Sequence, residues 1–150
     1  MASQFGRGRR IGIDYGDVRV GVAISDPEAI LVSPLITLKN DSELFKNIAE
    51  IVEEHQPIYV ALGSPVHLSG ESGSKAASVA EFAAKLKSGI SVDIYMIDER
   101  LTTKSAQTQL REVGIAANKS KAIIDQVAAV NILNQALNLE SSQSGLGNPL

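Results

Sequence analysis

Arg9-Arg10-Ile11-Gly12-Ile13-Asp14-Tyr15-Gly16-Asp17-Val18-Arg19-Val20-Gly21-Val22-Ala23-Ile24-Ser25 is the stretch on which the reading of the whole chain turns. Two apolar runs flank a short turn at Gly16-Asp17-Val18, the pattern of two strands joined tightly. Side chains alternate along a strand, so Ile11 and Ile13 share one face while Gly12 and Asp14 share the other. Gly12 leaves the space beside Asp14 open, and Asp14 stands where the first strand ends. One carboxylate beside glycines defines no chemistry by itself. What matters is which groups the fold brings to it.

Working outward, Ser25-Asp26-Pro27-Glu28 is a turn cluster, and Ala29 to Leu38 returns as a third strand rich in Ile, Leu and Val. Pro34 lacks a ladder donor, which predicts an edge position or a bulge there. Three strands with short connections make an antiparallel meander. Asn40 and Glu43 have the form of a capping box before a helix carrying Leu44, Ile48, Ile51 and Val52. Pro57 ends that helix. The run Ile58-Tyr59-Val60-Ala61-Leu62-Gly63 then reads as a strand buried on both faces. A loop from Gly63 to Gly73 leads to a second helix through Val79, Phe82, Ala83 and Leu86, stopped at Gly89. Val92 to Ile97 is a further strand, and it runs into Asp98-Glu99-Arg100-Leu101-Thr102-Thr103. A third helix carries Ala106, Leu110 and Val113. A long last helix opens at Asn118 or Ser120 and runs through Leu139, and 140–150 is expected to be a disordered tail. The order predicts a mixed five-stranded α/β sheet, an antiparallel meander continued by parallel strands, flanked by helices in one domain over 1–139.

With 150 residues, 44% of them hydrophobic, the chain has enough apolar surface for one substantial core. The absence of cysteine excludes disulfides and thiolate metal sites. No apolar run reaches the roughly 18 residues of a membrane span, and the first ten residues lack the apolar segment of a secretory signal. A cytoplasmic protein is expected, with no membrane partner. A net charge of −3 is neutral on nucleic acid, because an enzyme that cuts phosphodiesters needs only a local basic rim around an acidic centre. Arg7, Arg9 and Arg10 could supply part of that rim or form a solvated arm.

In open α/β sheets the reactive crevice lies beyond the carboxyl ends of the parallel strands. Asp14, the loop after Gly63 and Asp98-Glu99 all fall at such ends. Asp98 and Glu99 must point to opposite faces, so only one can join Asp14, and Glu99 is the preferred one. Helical spacing from Ser120 sets Asp125, Ala129, Ile132 and Ala136 on one face that is otherwise apolar. A carboxylate there is costly unless a cation meets it. Asp14, Glu99 and Asp125 together suit Mg²⁺ or Mn²⁺, hard cations that prefer oxygen ligands. That donor set points to hydrolysis of phosphodiester bonds, and such chemistry requires no histidine base. Arg19, His67, Arg100, Thr102 and Lys121 are the candidates for substrate contact, Arg100 through a phosphate. For His67 a plain loop residue is the better reading of the two.

These residues resemble a known family. Gly12-Ile13-Asp14-Tyr15-Gly16 with Arg19-Val20-Gly21-Val22-Ala23, Gly63-Ser64-Pro65, Asp98-Glu99-Arg100-Leu101-Thr102-Thr103, and Asp125-Gln126-Val127-Ala128-Ala129 with Ile132-Leu133 are similar to the YqgF family of Holliday-junction-resolvase-like proteins. The resemblance implies a ribonuclease H-like fold and a nuclease that trims the small-subunit ribosomal RNA precursor, with its acidic positions on Asp14, Glu99 and Asp125. The loop after Gly63 and the thinned basic run Lys119-Ser120-Lys121 depart from the family pattern at positions of substrate contact. The expected partner is structured RNA or branched DNA, and the expected state is a monomer or a weak homodimer. Two rivals remain at this level: an ATP-binding module, since the opening hairpin also resembles that of the actin-like and sugar-kinase ATPases, and a noncatalytic ribosome-associated binding protein.

Overall fold

The computed structural model describes residues 5–64, 73–98, 117–142 and 145–150, excepting the side chains of 73, 74 and 117–124. Within these the elements follow the order β1 (Arg10–Tyr15), β2 (Arg19–Ser25), β3 (Val32–Lys39), α1 (Leu44–His55), β4 (Tyr59–Ser64), α2 (Gly73–Gly89), β5 (Asp93–Asp98) and α3 (Ala117–Glu140). The five strands form one sheet in the order β3-β2-β1-β4-β5. β1, β2 and β3 pair antiparallel, while β4 pairs parallel to both β1 and β5. The mixed sheet predicted from the sequence is the sheet that forms. The third helix expected around Ala106 to Val113 lies outside the described residues.

Pro34 has both of its predicted consequences. β3 is an edge strand, and its register with β2 slips between Val22 and Ala23, where Leu35 is left without an opposite residue. β4 is buried along Tyr59 to Gly63 because strands flank it on both sides and helices lie above and below. The alternation of side chains divides the core in two. Ile11, Ile13, Val60, Leu62 and Ile94 face α1 and α2, where they meet Leu44, Ile48, Val79, Phe82 and Leu86. Ala23, Tyr59, Ala61, Tyr95 and Ile97 face α3, where they meet Ala129, Ile132, Leu133 and Ala136.

Three expectations are corrected. The capping box at α1 does not form: Glu43 is the N-cap residue and makes no side-chain cap bond. The Asn40 amide instead donates to the Gly16 carbonyl at 2.7 Å, and Asp41 Oδ1 accepts the Glu43 N–H at 3.0 Å. Arg10 is neither rim nor solvated arm. It is 2% exposed and bonds to the Glu140 carboxylate through Nε at 3.0 Å and Nη2 at 2.8 Å. The tail is tied down as well, because Leu146 is buried in the α3-side core and the Leu150 N–H donates to the Ile94 carbonyl of edge strand β5 at 2.8 Å. Among the described residues no helix is long and apolar enough to cross a membrane.

Candidate active site

Asp14 is placed by β1 and by the turn that follows it. That turn is pinned from outside by Asn40, whose side chain holds Gly16 and whose backbone N–H donates to Val18 at 3.0 Å. Asp14 lies directly opposite Gly21 in the β1–β2 ladder, as Gly12 lies opposite Ala23. Directly opposed residues share a face, so Asp14, Gly12, Gly21 and Ala23 all turn toward α3.

The two glycines are what let α3 come down. A β-carbon on Gly12 would lie 2.8 Å from the Ala129 carbonyl oxygen and from Leu133 Cβ, and one on Gly21 would lie 2.0 Å from the Asp125 carbonyl oxygen. Asp125 therefore rests on the residue that faces Asp14. The Gly21 β-position is 3.0 Å from Asp125 Cβ, and opposed β-positions in such a pair lie about 5 Å apart. The Asp125 side chain thus starts from beside the strand position that faces Asp14. Gln126 fixes the same turn of α3 from the side, its Nε2 donating to Thr37 Oγ1 of β3 at 2.9 Å.

The predicted helix face is the face that is buried, with Ala129, Ile132 and Ala136 inaccessible to solvent. Asp125 lies at its upper end with a side chain 17% exposed, and the cation that meets it is Arg19, whose Nε donates to Oδ2 at 2.9 Å. Burial pushes the Asp125 carboxyl above the ordinary carboxylate value, against the opposing pull of the Arg19 hydrogen bond and of the Arg19 and Lys75 charges. With Asp14 it offers oxygen donors alone, the chemistry that a hard divalent ion prefers.

Asp98 ends β5 on the strand face shared with Ile94 and Met96, which pack toward α1 and α2, so it lies across the sheet from Asp14. Glu99, His67, Arg100 and Thr102 fall outside the described residues, as does the side chain of Lys121 in the first turns of α3. Among the described residues no three carboxylates or histidines gather; of the predicted acidic set Asp14 and Asp125 are described, and both belong to the α3 side of the sheet. Sequence reasoning missed Asn40 as the clamp of the Asp14 turn and missed Arg19 as the partner of Asp125. Asn40 had a signal of its own, a side chain two donors rich beside a turn with unpaired carbonyls, but the capping pattern competed for it.

A mixed five-stranded sheet of this order, flanked by helices on both faces, has the ribonuclease H-like α/β arrangement. The fold of T. thermophilus RuvC, solved with a Holliday junction substrate, matches with a TM-score of 0.55 over 95% of this chain and 99% of that one, at 15% identity. A fowlpox virus resolvase solved with Holliday junction DNA matches with a TM-score of 0.50 over 89% of this chain and 99% of that one. The chain belongs to the RuvX family, also called YqgF, whose model, described as Holliday junction resolvase, matches residues 8–139. Relatives named "Putative pre-16S rRNA nuclease" include a protein of Mycobacteroides abscessus, 44% identical over 136 residues, covering 88% of this chain and 82% of that protein. Another, from Streptomyces coelicolor, is 42% identical over 137 residues, covering 89% and 82%.

Proposed function

We propose that this protein is a metal-dependent nuclease that hydrolyses phosphodiester bonds at the 5′ end of the pre-16S ribosomal RNA. The observation that carries the proposal is the seating of Asp125 on Gly21, directly across the ladder from Asp14. Names of relatives above 40% identity supply the substrate. In this reading Asp14, Asp125 and Glu99 hold Mg²⁺ or Mn²⁺. The ion would polarise the attacking water and neutralise the leaving oxygen. The chain's own groups bind and orient: Asp14 and Asp125 would hold the ion, and Arg19 and Lys75, the positive charges acting on Asp125, would offset the charge of the scissile phosphate. Water oxygen bonds to phosphorus as the bond from phosphorus to the 3′-oxygen breaks. The 3′-oxygen takes up a proton, leaving a 3′-hydroxyl and a 5′-phosphate.

Replacing Asp14 by Asn removes a charge without changing volume. Asp14→Asn is expected to abolish Mg²⁺- or Mn²⁺-dependent cleavage of a pre-16S RNA substrate while the circular dichroism spectrum and melting temperature stay close to wild type. Cleavage at the wild-type rate would sink the assignment. Running the same assay on a four-way DNA junction decides between RNA processing and junction resolution, the alternative suggested by the description of the family.

A further inference from the structure

The aromatic side chains of this protein fall into two clusters, one on each face of the sheet. Phe5, Tyr59 and Tyr95 pack together on the α3 side, where both tyrosines are buried. Tyr15, Phe45 and Phe82 gather on the α1–α2 side and are arranged differently. The Tyr15 and Phe82 rings stack at 4.3 Å and 27°, and Phe45 meets Phe82 at 5.4 Å and 35°. Phe82 is buried, but Tyr15 is only half-buried, and Phe45 in the first turn of α1 is 36% exposed. The three rings line a cavity of about 230 Å³, whose polar rim is Asn40, Ser78, Glu81 and Lys85. Pockets for whole small molecules run from about 300 Å³ upward, so this one suits a single flat ring system.

Two features tie the cavity to the proposed centre. Tyr15 follows Asp14 directly in β1, so the cavity opens at the same strand end. Asn40 is both a wall of the cavity and the clamp of the turn after Asp14, its Nδ2 donating to the Gly16 carbonyl at 2.7 Å. A carboxamide has a second N–H and an acceptor oxygen besides, which match the polar edge of a base. Glu81 and Lys85 pair at 3.3 Å, so the charges at the rim offset one another and hold no net attraction for a phosphate. An open aromatic face, a planar amide and cancelled charge are suited to a base and not to the backbone that carries it. We propose that this cavity takes one unstacked nucleobase of the RNA strand engaged at Asp14, with the base lying against Phe45 and its edge toward Asn40. The inference rests on the nuclease reading and goes beyond it: the strand is unpaired beside the cut, because a base inside a duplex has neither a free face nor a free edge to offer.

The chain contains no Trp, so Phe45→Trp introduces a single reporter at the cavity mouth. In the presence of EDTA, a short single-stranded RNA is expected to quench its emission, while the same sequence as a duplex and inorganic polyphosphate leave it unchanged. Phe45→Ala should bind the labelled single strand about tenfold more weakly by fluorescence anisotropy, within the range for losing one base–aromatic stack, with an unchanged circular dichroism spectrum. Phe45→Trp should bind it as wild type does. No quenching by the single strand, equal quenching by duplex or polyphosphate, or wild-type affinity in a folded Phe45→Ala would each overturn the inference. Cleavage with Mg²⁺ is read separately. A wild type that cuts RNA, beside a Phe45→Trp that shows no quenching, loses the base cavity and keeps the nuclease reading. Quenching by the single strand alone, in a protein that cuts neither RNA nor four-way DNA, keeps the cavity as a site for an unpaired base and removes the nuclease reading.

Discussion

At Gly21 the backbone of α3 comes so close that a single methyl group has nowhere to go, because the obstruction is the Asp125 carbonyl and not a flexible side-chain end. Gly21→Ala must lift the first half of α3 off the sheet. It is expected to cost about 3 kcal/mol, the upper range for overpacking, and to abolish Mn²⁺ binding, as read by urea unfolding and titration. Gly89→Ala is the control, since nothing lies within 4 Å of a β-carbon there. Half of this geometry was legible in advance. Alternation alone put Gly12 beside Asp14, and helical spacing alone put Asp125 on the buried face with Ala129, Ile132 and Ala136. The contact between Gly21 and Asp125 was not legible, because it joins residues over a hundred positions apart and depends on where α3 crosses the strands. The same holds for Arg19, whose partner is set by that crossing and by no local pattern.

Elements show where local patterns compete. The Asn40–Glu43 spacing fits a capping box, yet the Asn40 side chain is nearer the exposed carbonyl of the β1–β2 turn, and satisfying that group wins. The β2–β3 connection is ordered in a comparable way by one residue. Asp26 Oδ1 accepts the N–H groups of Ile30 at 2.8 Å and Leu31 at 3.1 Å, and Ala29 takes a φ of +58° between them. Those bonds hold the Asp26 carboxyl below its ordinary value of 3.8. Between the lowered value and 3.8 the unfolded chain binds more protons than the folded one, so the stabilisation is complete above 3.8 and is lost as pH falls through the lower value. Asp26→Ala should therefore reduce hydrogen-exchange protection of the Ile30 and Leu31 amides at pH 7 relative to wild type. In wild type the same protection should fall away on acidification, leaving the two proteins alike at the acid end. The turn itself was legible from Ser25-Asp26-Pro27-Glu28. Its internal bonding was not, since several polar residues compete for the same few amides.

Over the whole molecule a buried tie joins the first strand to the last helix. Arg10 at the start of β1 and Glu140 at the end of α3 form a buried pair, and the Tyr59 hydroxyl donates to the same carboxylate. Gly8 and Gly6 carbonyls accept from the Arg10 guanidinium at 2.5 and 3.2 Å, and Phe5 packs its ring 5.0 Å from that of Tyr59. Burial and the neighbouring carboxylate drive the Tyr59 hydroxyl well above its usual range, so it remains a donor at any physiological pH. Glu140→Ala leaves Arg10 charged and uncompensated, and should cost about 3–5 kcal/mol in urea unfolding. Arg10→Met combined with Glu140→Leu should recover most of that loss, because an apolar pair of similar volume requires no charge to be desolvated. The arginine run at the N-terminus concealed this pair, since a basic cluster reads as surface until its acid is found. The position of α3 also orders events in time. A ribosome delivers the chain from its first residue, so all five strands precede α3, and the sheet face of Ala23, Tyr59 and Ala61 waits uncovered until that helix emerges. Asp125 and the lock at Glu140 belong to the same helix, so a chain that has made the five strands but not α3 has neither.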